Sequence, residues 1–498
     1  MSASPYTTRL EPFSLGAQKE LFLDDDHVNS LTRLTRCMGE VERMGPILEP
    51  DSDAGEVAMQ TRSSPIWNPE REIWQWWYWG NWACEPYGRW HTEQMPLTHL
   101  AESVDGIHWT KPNIGLYEWH GSRHNNIVMD PELGARALYH ILRDEREPDP
   151  AKRYKAMMGQ HGRKPFASPD GLTWTELPTE QIASSDESHL FYDEQSERFV
   201  ALVKRGTVWG RSVFLATSKD FVNWDEHGIV MHADAQDWDN RWSRISRVLQ
   251  DDKYLSPPLV DEENHMAETY QMAAMPYEGM YVGFVGLFNP AGAIPPPHMN
   301  HTGLNQTELA CSRDLKRWRR LCDRQVFLGV QPWDGVNYDC QQVLLCGRPV
   351  VRDDAIWIYY NAARFRGHKE LFDEKYHPWF KAISTMCLAK LRLDGFVSID
   401  AGGDRGELMT KRLRFEGDRL SLNVNAAGGR IRVEVIDDAS DTPIDGLTLA
   451  ECQPVDVDDL QAIVRWEGGE SVRSRIGDRP VRLRFVMEQA SLFSYCAV

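Results

Sequence analysis

The sequence is poor in basic residues and has no long apolar run. It contains 55 Lys and Arg against 74 Asp and Glu, which gives a formal net charge of −19 over 498 residues. Because binding to a phosphate backbone needs clustered Lys and Arg, this balance argues against a nucleic-acid partner. No stretch approaches the roughly 18 uninterrupted apolar residues of a membrane-spanning helix, so we expect no membrane partner either.

Short motifs of several other protein classes are also missing. There is no Gly-rich phosphate loop, no H-E-x-x-H and no G-x-S-x-G. The nine cysteines, Cys84 among them, include no C-x-x-C pair, so zinc ribbons and thiol redox motifs are unsupported. The first 20 residues lack a basic segment followed by an apolar one. We therefore see no secretory signal and expect a cytoplasmic protein with reduced thiols.

What the sequence does have is a repeated turn. A short strand, then Ser, Asp and a Trp a few residues later, recurs in LTHLAESVDGIHW, KPFASPDGLTW, VFLATSKDFVNW and TELACSRDLKRW, and a degenerate copy, TMCLAKLRLDGFVSI, has Phe396 instead of Trp. Ser and Asp side chains bond to nearby backbone and close hairpin turns. We therefore expect structural roles for the repeated aspartates Asp105, Asp170, Asp220 and Asp314.

The repeat predicts an all-β fold. Alternating or fully apolar strand-like runs precede each copy, and almost no segment shows helical periodicity. Units of about four strands bury both faces when they are arranged radially, so we predict a five-bladed β-propeller over residues 20–400. Residues 1–19 are expected to form an N-terminal arm. The short strands and Gly/Asn/Asp turns of residues 401–498 predict a β-sandwich domain.

Several segments resemble a known group of proteins. LFLDDDHV, HILRDEREPDPAKRYKAM, the S-x-D-G-x-x-W turns, PYEGMYVGF and the G-E-L-x-T-K tail are similar to a glycoside-hydrolase-related group with a five-bladed propeller and a C-terminal β-sandwich. This group is distantly similar to glycoside hydrolase families 32, 43 and 68. The resemblance covers nearly the whole chain, and it implies a carbohydrate substrate at the propeller axis.

In those families three carboxylates, from the first three blades, surround the sugar. The resemblance places Asp144, in Arg143-Asp144, as the transition-state stabiliser of the second blade. In the third blade it places Asp186 at the position of the general acid, with Glu187 as the alternative. Where the family has Pro after its Arg-Asp, this chain has Glu145.

The first blade departs from the family pattern. Its Asn-Asp-Pro is replaced by Gln-Thr-Arg-Ser at residues 60–63, so the nucleophile or base is missing there. The nearest carboxylates are Glu56, on the same predicted strand, and Asp25, in the Asp24-Asp25-Asp26 run. Cleavage of a glycosidic bond needs one protonated and one ionised carboxyl group, and either residue could supply the ionised one.

The later blades offer further acids, and several other side chains are candidates for substrate binding. Glu268 and Asp339 occupy comparable positions before inner strands of the fourth and fifth blades, Glu268 as a further catalytic candidate and Asp339 as a candidate for substrate binding. Arg62, Arg143 and Arg205 could hold an anionic group or neutralise the acidic axis. His189 and His368 could bond sugar hydroxyls, and Trp77, in a tryptophan-rich strand, could stack on a sugar ring.

The leading hypothesis is a glycoside hydrolase that acts on small oligosaccharides or glycosides with a carboxylate acid/base pair at the propeller axis. The alternatives are a carbohydrate-binding propeller without catalysis and a glycoside phosphorylase, which would need a basic phosphate pocket. No cofactor is expected, although a crowded acidic axis could hold a structural calcium ion. The sequence does not indicate an oligomeric state.

Overall fold

The computed structural model describes residues 11–53, 55–82, 97–130, 137–159, 161–261, 266–296 and 300–498. The chain divides into two compact units. One unit, the sandwich unit, contains Met1–Glu40, Asp353–Ala355 and Leu391–Val498. The other, the propeller unit, contains Val41–Arg352 and Ile356–Lys390. No helix of the described part is long and apolar enough to cross a membrane.

The first strands of the chain lie in the sandwich unit and are followed by a strand of the propeller unit. The four N-terminal strands are β1 (Phe13–Leu15), β2 (Glu20–Leu21), β3 (Val28–Thr32) and β4 (Thr35–Met38). Strand β5 (Val41–Leu48) begins the propeller unit and pairs with a much later strand of the same unit.

Three antiparallel groups of strands follow. The first consists of β6 (Glu56–Gln60), β7 (Ile66–Asn68), β8 (Ile73–Trp82) and β9 (Leu97–Ser103). The second consists of β10 (Leu138–Arg143), β11 (Tyr154–Met158), β12 (Lys164–Ser168) and β13 (Thr175–Glu176), and the third of β14 (Ser188–Asp193), β15 (Arg198–Thr207), β16 (Gly210–Ser218) and β17 (Asp225–Met231). The second and third groups are separate four-stranded sheets in sequential order.

A helix separates these groups from the remaining strands of the propeller unit. Helix α1 (Ala235–Gln250) starts at Asp234, whose carboxylate accepts a hydrogen bond from the backbone N–H of Gln236, and Asp237 completes the capping box. The fourth group consists of β18 (Glu268–Tyr277), β19 (Met280–Ile294), β20 (Asn300–Ser312), β21 (Arg319–Arg320) and β22 (Val326–Leu328). The fifth consists of β23 (Gln342–Leu345), β24 (Val350–Arg352), β25 (Ala355–Ala363) and β26 (Ser384–Arg392), which pairs with β5.

Neighbouring groups contact each other in cyclic order. Strand β10 contacts β8 and β14, and β14 contacts β18. A parallel bridge between Asn305 and Gln342 joins the fourth group to the fifth, and another between Ser384 and Ala58 joins the fifth to the first. This radial arrangement is that of a β-propeller. Because these bridges merge three groups into one 14-stranded sheet, the number of sheets does not give the number of blades. The number of blades, five, stays a prediction.

Strand β8 shows why the tryptophan-rich segment is apolar on both faces. Trp76 packs against Trp109 and Tyr359, whereas its neighbour Trp77 packs against Tyr154 of the second group. Successive side chains of a strand point to opposite faces, and both faces of this blade are covered by other strands. Trp77 is 1% exposed and donates from Nε1 to the carbonyl of Gly171 at 2.8 Å.

The repeated Ser and Asp residues form four matching turns, which we call the Ser-Asp turns. In the second, Asp170 Oδ1 accepts hydrogen bonds from Ser168 Oγ at 3.0 Å and from the backbone N–H groups of Leu172 and Thr173 at 2.9 and 3.0 Å. The other three turns have the same bonds at Asp105, Asp220 and Asp314. The predicted structural role of these four aspartates is confirmed.

The sandwich unit contains two sheets around one apolar core. Its remaining strands are β27 (Val397–Ala401), β28 (Gly406–Thr410), β29 (Leu413–Phe415), β30 (Leu420–Asn425), β31 (Arg430–Asp437), β32 (Thr442–Pro443), β33 (Asp458–Ile463), β34 (Val481–Glu488) and β35 (Ala490–Ala497), with the short helix α2 (Arg473–Ile476). Leu15, Ile399, Val433 and Leu492, from strands of both sheets, are buried in the shared core.

Strands from both ends of the chain build this sandwich. β1 and β3 belong to the seven-stranded sheet, and β2 and β4 belong to the six-stranded sheet. Residues up to Glu40 therefore group with the C-terminal strands, whereas the sequence assigned residues 20–40 to the propeller. The degenerate fifth repeat also enters this unit, where Asp394 accepts hydrogen bonds from Lys19, Asn423 and Ser494 instead of forming a Ser-Asp turn.

Candidate active site

Polar side chains converge where the inner strands β10, β14, β18 and β23 begin, beside the segment between β6 and β7. Hydrogen bonds join three of these segments, since the ring of His140 lies between the carbonyl oxygen of Arg62 at 2.8 Å and Ser188 Oγ at 2.6 Å. We call the set the axial cluster. It contains Arg62, His140, Arg163, Asp186, Glu187, Ser188, His189, Lys204, Arg211, Glu268, Tyr270, Gln342 and Arg366.

A buried ion pair between Arg62 and Glu187 joins the first blade to the third. The guanidinium donates to both carboxylate oxygens, with Nη2 to Oε1 at 2.6 Å, and the two side chains are 2% and 5% exposed. Burial alone lowers the pKa of Arg62, but attraction to Glu187 outweighs it and raises the pKa above its usual value. Both oxygens of Glu187 are thus occupied by a permanently charged partner.

His140, Ser188 and Arg163 form a second buried network beside this pair. His140 Nδ1 donates to the carbonyl of Arg62, so Nε2 is the acceptor for the Ser188 hydroxyl. Arg163 Nε donates to the same Ser188 oxygen at 2.7 Å, and its guanidinium lies over the ring of Tyr139 at 4.0 Å. Burial, followed by the charge of neighbouring groups, lowers the pKa of His140 well below its usual range, so the ring is neutral.

Asp186 is the carboxylate of the cluster that reaches solvent most. Its side chain is 44% exposed, and Lys204, which is itself buried, pairs with it at 2.5 Å. Burial alone would raise the pKa of Asp186, but Lys204 and then Arg211 stabilise the ionised form and lower the pKa to about 2. Asp186 is therefore an accessible, ionised carboxylate, which suits a base or nucleophile better than the acid role inferred from the resemblance.

Glu268 and Tyr270, at the start of β18, share the cations that neighbour Asp186. Glu268 pairs with Arg211, and its Oε1 accepts from the backbone N–H of Arg211 at 3.1 Å. The ring of Tyr270 lies 4.1 Å from Lys204 Nζ and 5.6 Å from the Arg211 guanidinium. Asp186 and Glu268 are thus each held by a cation, and both cations flank one aromatic ring.

His189 lies deeper in the cluster. It is 2% exposed, with its ring 5.8 Å from that of His140. Burial and then the charge of Arg62 lower the pKa of His189 to about 3, so it is neutral at neutral pH. This burial does not suit the contact with a sugar hydroxyl that the sequence suggests for His189.

Asp144 and Arg143, the best match to the resemblance, are placed elsewhere. Asp144 lies in the turn between β10 and β11, where it pairs with Arg146 at 2.7 Å and with buried Lys155 at 3.2 Å. Arg143 pairs with Glu70 and Glu145 at 2.6 and 2.8 Å. Asp144 follows His140 by four residues along an extended strand, a separation of roughly 13 Å. The structure therefore does not bring Asp144 into the axial cluster.

The two first-blade candidates are also outside the cluster. Glu56 is buried at the start of β6, where it pairs with Lys111 at 2.6 Å and accepts from the backbone N–H of Asp51 at 2.9 Å. Asp25 lies in the sandwich unit, where its carboxylate pairs with Arg36 at 2.7 Å. Their proposed role as nucleophile or base stays a prediction.

The remaining candidates have other partners. Asp339 is buried and accepts hydrogen bonds from Arg43 and, at 3.2 Å, from the hydroxyl of Tyr360. Arg205 makes a two-bond pair with Glu226, at 3.0 and 2.5 Å, on the surface of β15 and β17. His368 precedes a short 3-10 helix at Lys369–Leu371. Because Trp77 is fully packed between blades, it presents no face to a sugar, and its predicted stacking role is corrected to a core role.

Sequence reasoning missed Arg163, Lys204, Arg211 and Arg366. Arg163 directly precedes β12, Lys204 lies in β15 and Arg211 in β16, and these are second and third strands of their blades. Their guanidinium and ammonium groups reach back toward the inner strand, and no motif marks them. Lys204 and Arg205 stand side by side, yet strand alternation sends only Lys204 to the cluster.

The described residues contain no group of three or more His, Cys, Asp or Glu that could hold a metal ion. This includes the acidic side chains considered for a structural calcium ion. No disulfide joins the eight cysteines in the described part of the chain, and Cys84 lies outside it.

Comparison with known proteins gives matches only among solved structures. No protein-family profile and no curated protein matches the chain. A family 117 glycoside hydrolase from Zobellia galactanivorans matches with 11% identity over 72% of this chain and 91% of its own, at a TM-score of 0.41. A fructofuranosidase from Schwanniomyces occidentalis complexed with fructose matches with 12% identity over 90% of this chain and 97% of its own, also at 0.41.

A further match is an N-acetylgalactosamine deacetylase from F. plautii in complex with blood group B trisaccharide, with 12% identity over 73% of this chain and 97% of its own and a TM-score of 0.40. The matches thus include glycoside hydrolases, as the sequence resemblance predicts. With such low identities and scores, they carry no argument about a reaction or a substrate.

Proposed function

We propose that the protein is a glycoside hydrolase that acts on small oligosaccharides or glycosides bound at the axial cluster. The observation that carries this proposal is the exposed, ionised carboxylate of Asp186, which shares the neighbouring cation Arg211 with Glu268, with Tyr270 close to Lys204 and Arg211. Two neighbouring carboxyl groups are the minimum that hydrolysis of a glycosidic bond requires.

The two carboxylates would have different tasks. Asp186, whose pKa is lowered to about 2, would attack the anomeric carbon or take a proton from water. Glu268 would take the proton-donating task once bound substrate separates it from Arg211. Glu187 would hold Arg62 in place, because both of its oxygens accept from the guanidinium.

The test is turnover of a panel of aryl glycosides and short oligosaccharides by the full chain. Asp186→Asn and Glu268→Gln should each reduce kcat by about 100-fold or more, which is the usual contribution of one acid or base. Asp170→Asn, in a Ser-Asp turn, is the matched control and should keep the wild-type kcat. Thermal unfolding of each variant shows whether it is folded.

Asp144→Asn distinguishes a reactive Asp186 from the reactive Asp144 that the resemblance implies. We expect its kcat to remain near that of the wild type, because its partners are Arg146 and Lys155. If Asp144→Asn, still folded, loses 100-fold while Asp186→Asn does not, the role proposed for Asp186 is wrong.

One observation favours a second candidate, a carbohydrate-binding propeller without catalysis. All three carboxylates of the cluster are paired with cations, Asp186 with Lys204, Glu187 with Arg62 and Glu268 with Arg211. Each of the three carboxylates thus already has a positively charged partner in the free protein, as in a site that is built for binding. Calorimetry with the same sugars separates the two, since binding without any product supports this candidate.

A further inference from the structure

Arg366, which is partly exposed, differs from Lys204 and Arg211, two other cations of the axial cluster. It follows β25, and its guanidinium carbon lies 4.0 Å from the centre of the Phe288 ring and 5.3 Å from that of the Tyr270 ring. Nη1 donates to Gln342 Oε1 at 3.1 Å, and Nε is buried without a hydrogen-bond partner. Within the described ranges no carboxylate lies at ion-pair distance from it, whereas Lys204 and Arg211 each have one.

The surroundings of Arg366 hold it in a fixed position. The carboxamide of Gln341 accepts from the backbone N–H of Arg366 at 2.7 Å. The amide of Asn305 donates to Gln342 Oε1 at 2.9 Å and so orients the acceptor of Nη1. The ring of Phe288 lies against the guanidinium. An arginine that only shielded acidic neighbours would not need this support, and a partly buried charge without a counterion is costly.

The net charge of the axial cluster also favours an anionic ligand. Among the described residues it has five cationic side chains (Arg62, Arg163, Lys204, Arg211 and Arg366) and three carboxylates (Asp186, Glu187 and Glu268). The cluster is thus positively charged in a protein whose formal net charge is −19. A positively charged cluster that contains an arginine without an ion-pair partner attracts and retains anions.

We infer that the ligand of the axial cluster carries an oxyanion and that Arg366 binds it. The planar fork of a guanidinium matches two oxygens of a carboxylate or a phosphate, and within the described residues Nη2 of Arg366 donates to no protein acceptor. The oxyanion would be the carboxylate of an acidic sugar or an inorganic phosphate that replaces water in the reaction. This inference deepens the proposed function and rests on it.

Binding experiments with the full-length protein test the inference directly. The probes are sodium glucuronate and sodium galacturonate, their neutral counterparts glucose and galactose, and inorganic phosphate, each titrated by calorimetry at low and high salt. We expect an acidic sugar or phosphate to bind about tenfold or more tightly than the neutral sugars. Arg366→Gln should remove this preference, and Arg366→Lys should restore part of it.

The matched control is Arg247→Gln, an exposed arginine of α1, which should leave every affinity unchanged. If glucuronate or galacturonate binds more tightly than its neutral counterpart, and added phosphate does not change this difference, the oxyanion is the carboxylate of an acidic sugar. Binding of phosphate, together with turnover that requires phosphate, identifies phosphorolysis. If neither anion binds better than the neutral sugars, or if folded Arg366→Gln binds as the wild type does, the inference is wrong.

The inference and the proposed function fail in different experiments. If Asp186→Asn abolishes turnover of neutral glycosides and Arg366→Gln has no effect on anion binding, hydrolysis stands and the oxyanion is excluded. If anions bind through Arg366 but no glycoside is cleaved with or without phosphate, the oxyanion site stands and the catalytic assignment fails.

Discussion

The Ser-Asp turns and the axial cluster both place aspartates at the ends of strands, but their carboxylates have different partners. In the turns, one oxygen of Asp170 or Asp220 accepts from two backbone N–H groups two and three residues later. In the cluster, Asp186 and Glu187 pair with cations from other strands or blades. A local partner stabilises a turn, whereas a distant partner holds a charge that a ligand can reach.

The two regions also differ in what burial does to their charged groups. The turns are at the surface, and their hydrogen bonds lower the pKa of Asp220 to about 2 although its small burial opposes this. In the cluster, burial is the main influence on His189 and His140, and it lowers the pKa of both rings. The variants below test this contrast between local bonds and buried charges.

The largest effect on stability is expected from the buried pair of Arg62 and Glu187. Glu187→Gln leaves a buried guanidinium without its counterion and should lower the free energy of unfolding by about 3–5 kcal/mol. Urea unfolding measures this change. The control is Glu226→Gln, which breaks a two-bond pair with Arg205 at the surface and should cost less than about 1 kcal/mol.

Replacing both residues of the buried pair also tests whether an unpaired buried charge causes the loss of stability. Arg62→Met combined with Glu187→Leu should recover much of the stability lost by Glu187→Gln alone, because no unpaired charge remains in the interior. Equal losses in the buried and surface pairs would show that burial does not distinguish them.

The next effect is a dependence of stability on pH that originates in the cluster. His189 has a pKa of about 3 in the folded protein and about 6.5 when unfolded. Its neutral form therefore contributes stability above about pH 6.5, and this contribution is lost as the pH falls toward 3. The free energy of unfolding should decrease by up to about 1.4 kcal/mol per pH unit for each such proton.

His189→Gln should make this decrease shallower between pH 6.5 and 4, as measured by urea unfolding at several pH values. Asp220→Asn is the comparison from the turns. Because the pKa of Asp220 is lowered to about 2, its contribution is present above about pH 4 and is lost as the pH falls to 2. Identical pH profiles for wild type and His189→Gln would contradict the role of burial in the cluster.

The smallest effect is expected from single Ser-Asp turns. Asp170→Ala, Asp220→Ala and Asp314→Ala each remove the same hydrogen bonds and should each cost about 1 kcal/mol. The three values should agree closely because the turns match, and Asp404→Ala, at an exposed position, should cost almost nothing. If the three losses of unfolding free energy differ from one another by more than their mean, the turns are not equivalent.

This contrast explains what the sequence could predict. The turns depend on residues within six positions of each other, so their pattern is visible in the chain and recurs four times. From that recurrence follow the all-β fold and the structural roles of Asp105, Asp170, Asp220 and Asp314. The pair of Arg62 and Glu187 spans 125 positions, and no local pattern encodes it.

Individual site residues show the same limit. Asp186 and Glu187 could be found because they directly precede an inner strand. Asp144 also precedes a strand, yet the segment directly after it is a hairpin turn. The sequence Arg-Asp is the same in a turn as at the propeller axis, so it does not distinguish the two positions. The membership of β1–β4 in the sandwich could not be predicted, because the sequence of a short strand does not indicate which sheet the strand joins.

That membership has a consequence for how the protein is made. β2 pairs with β35, so the six-stranded sheet of the sandwich is complete only after Ala490–Ala497 has been translated. At typical elongation rates the N-terminal strands leave the ribosome on the order of tens of seconds before that last strand. During this interval Leu15 and Phe22, fully buried in the finished protein, have no core to enter, so apolar side chains of the N-terminal segment stay exposed until the last strand is made.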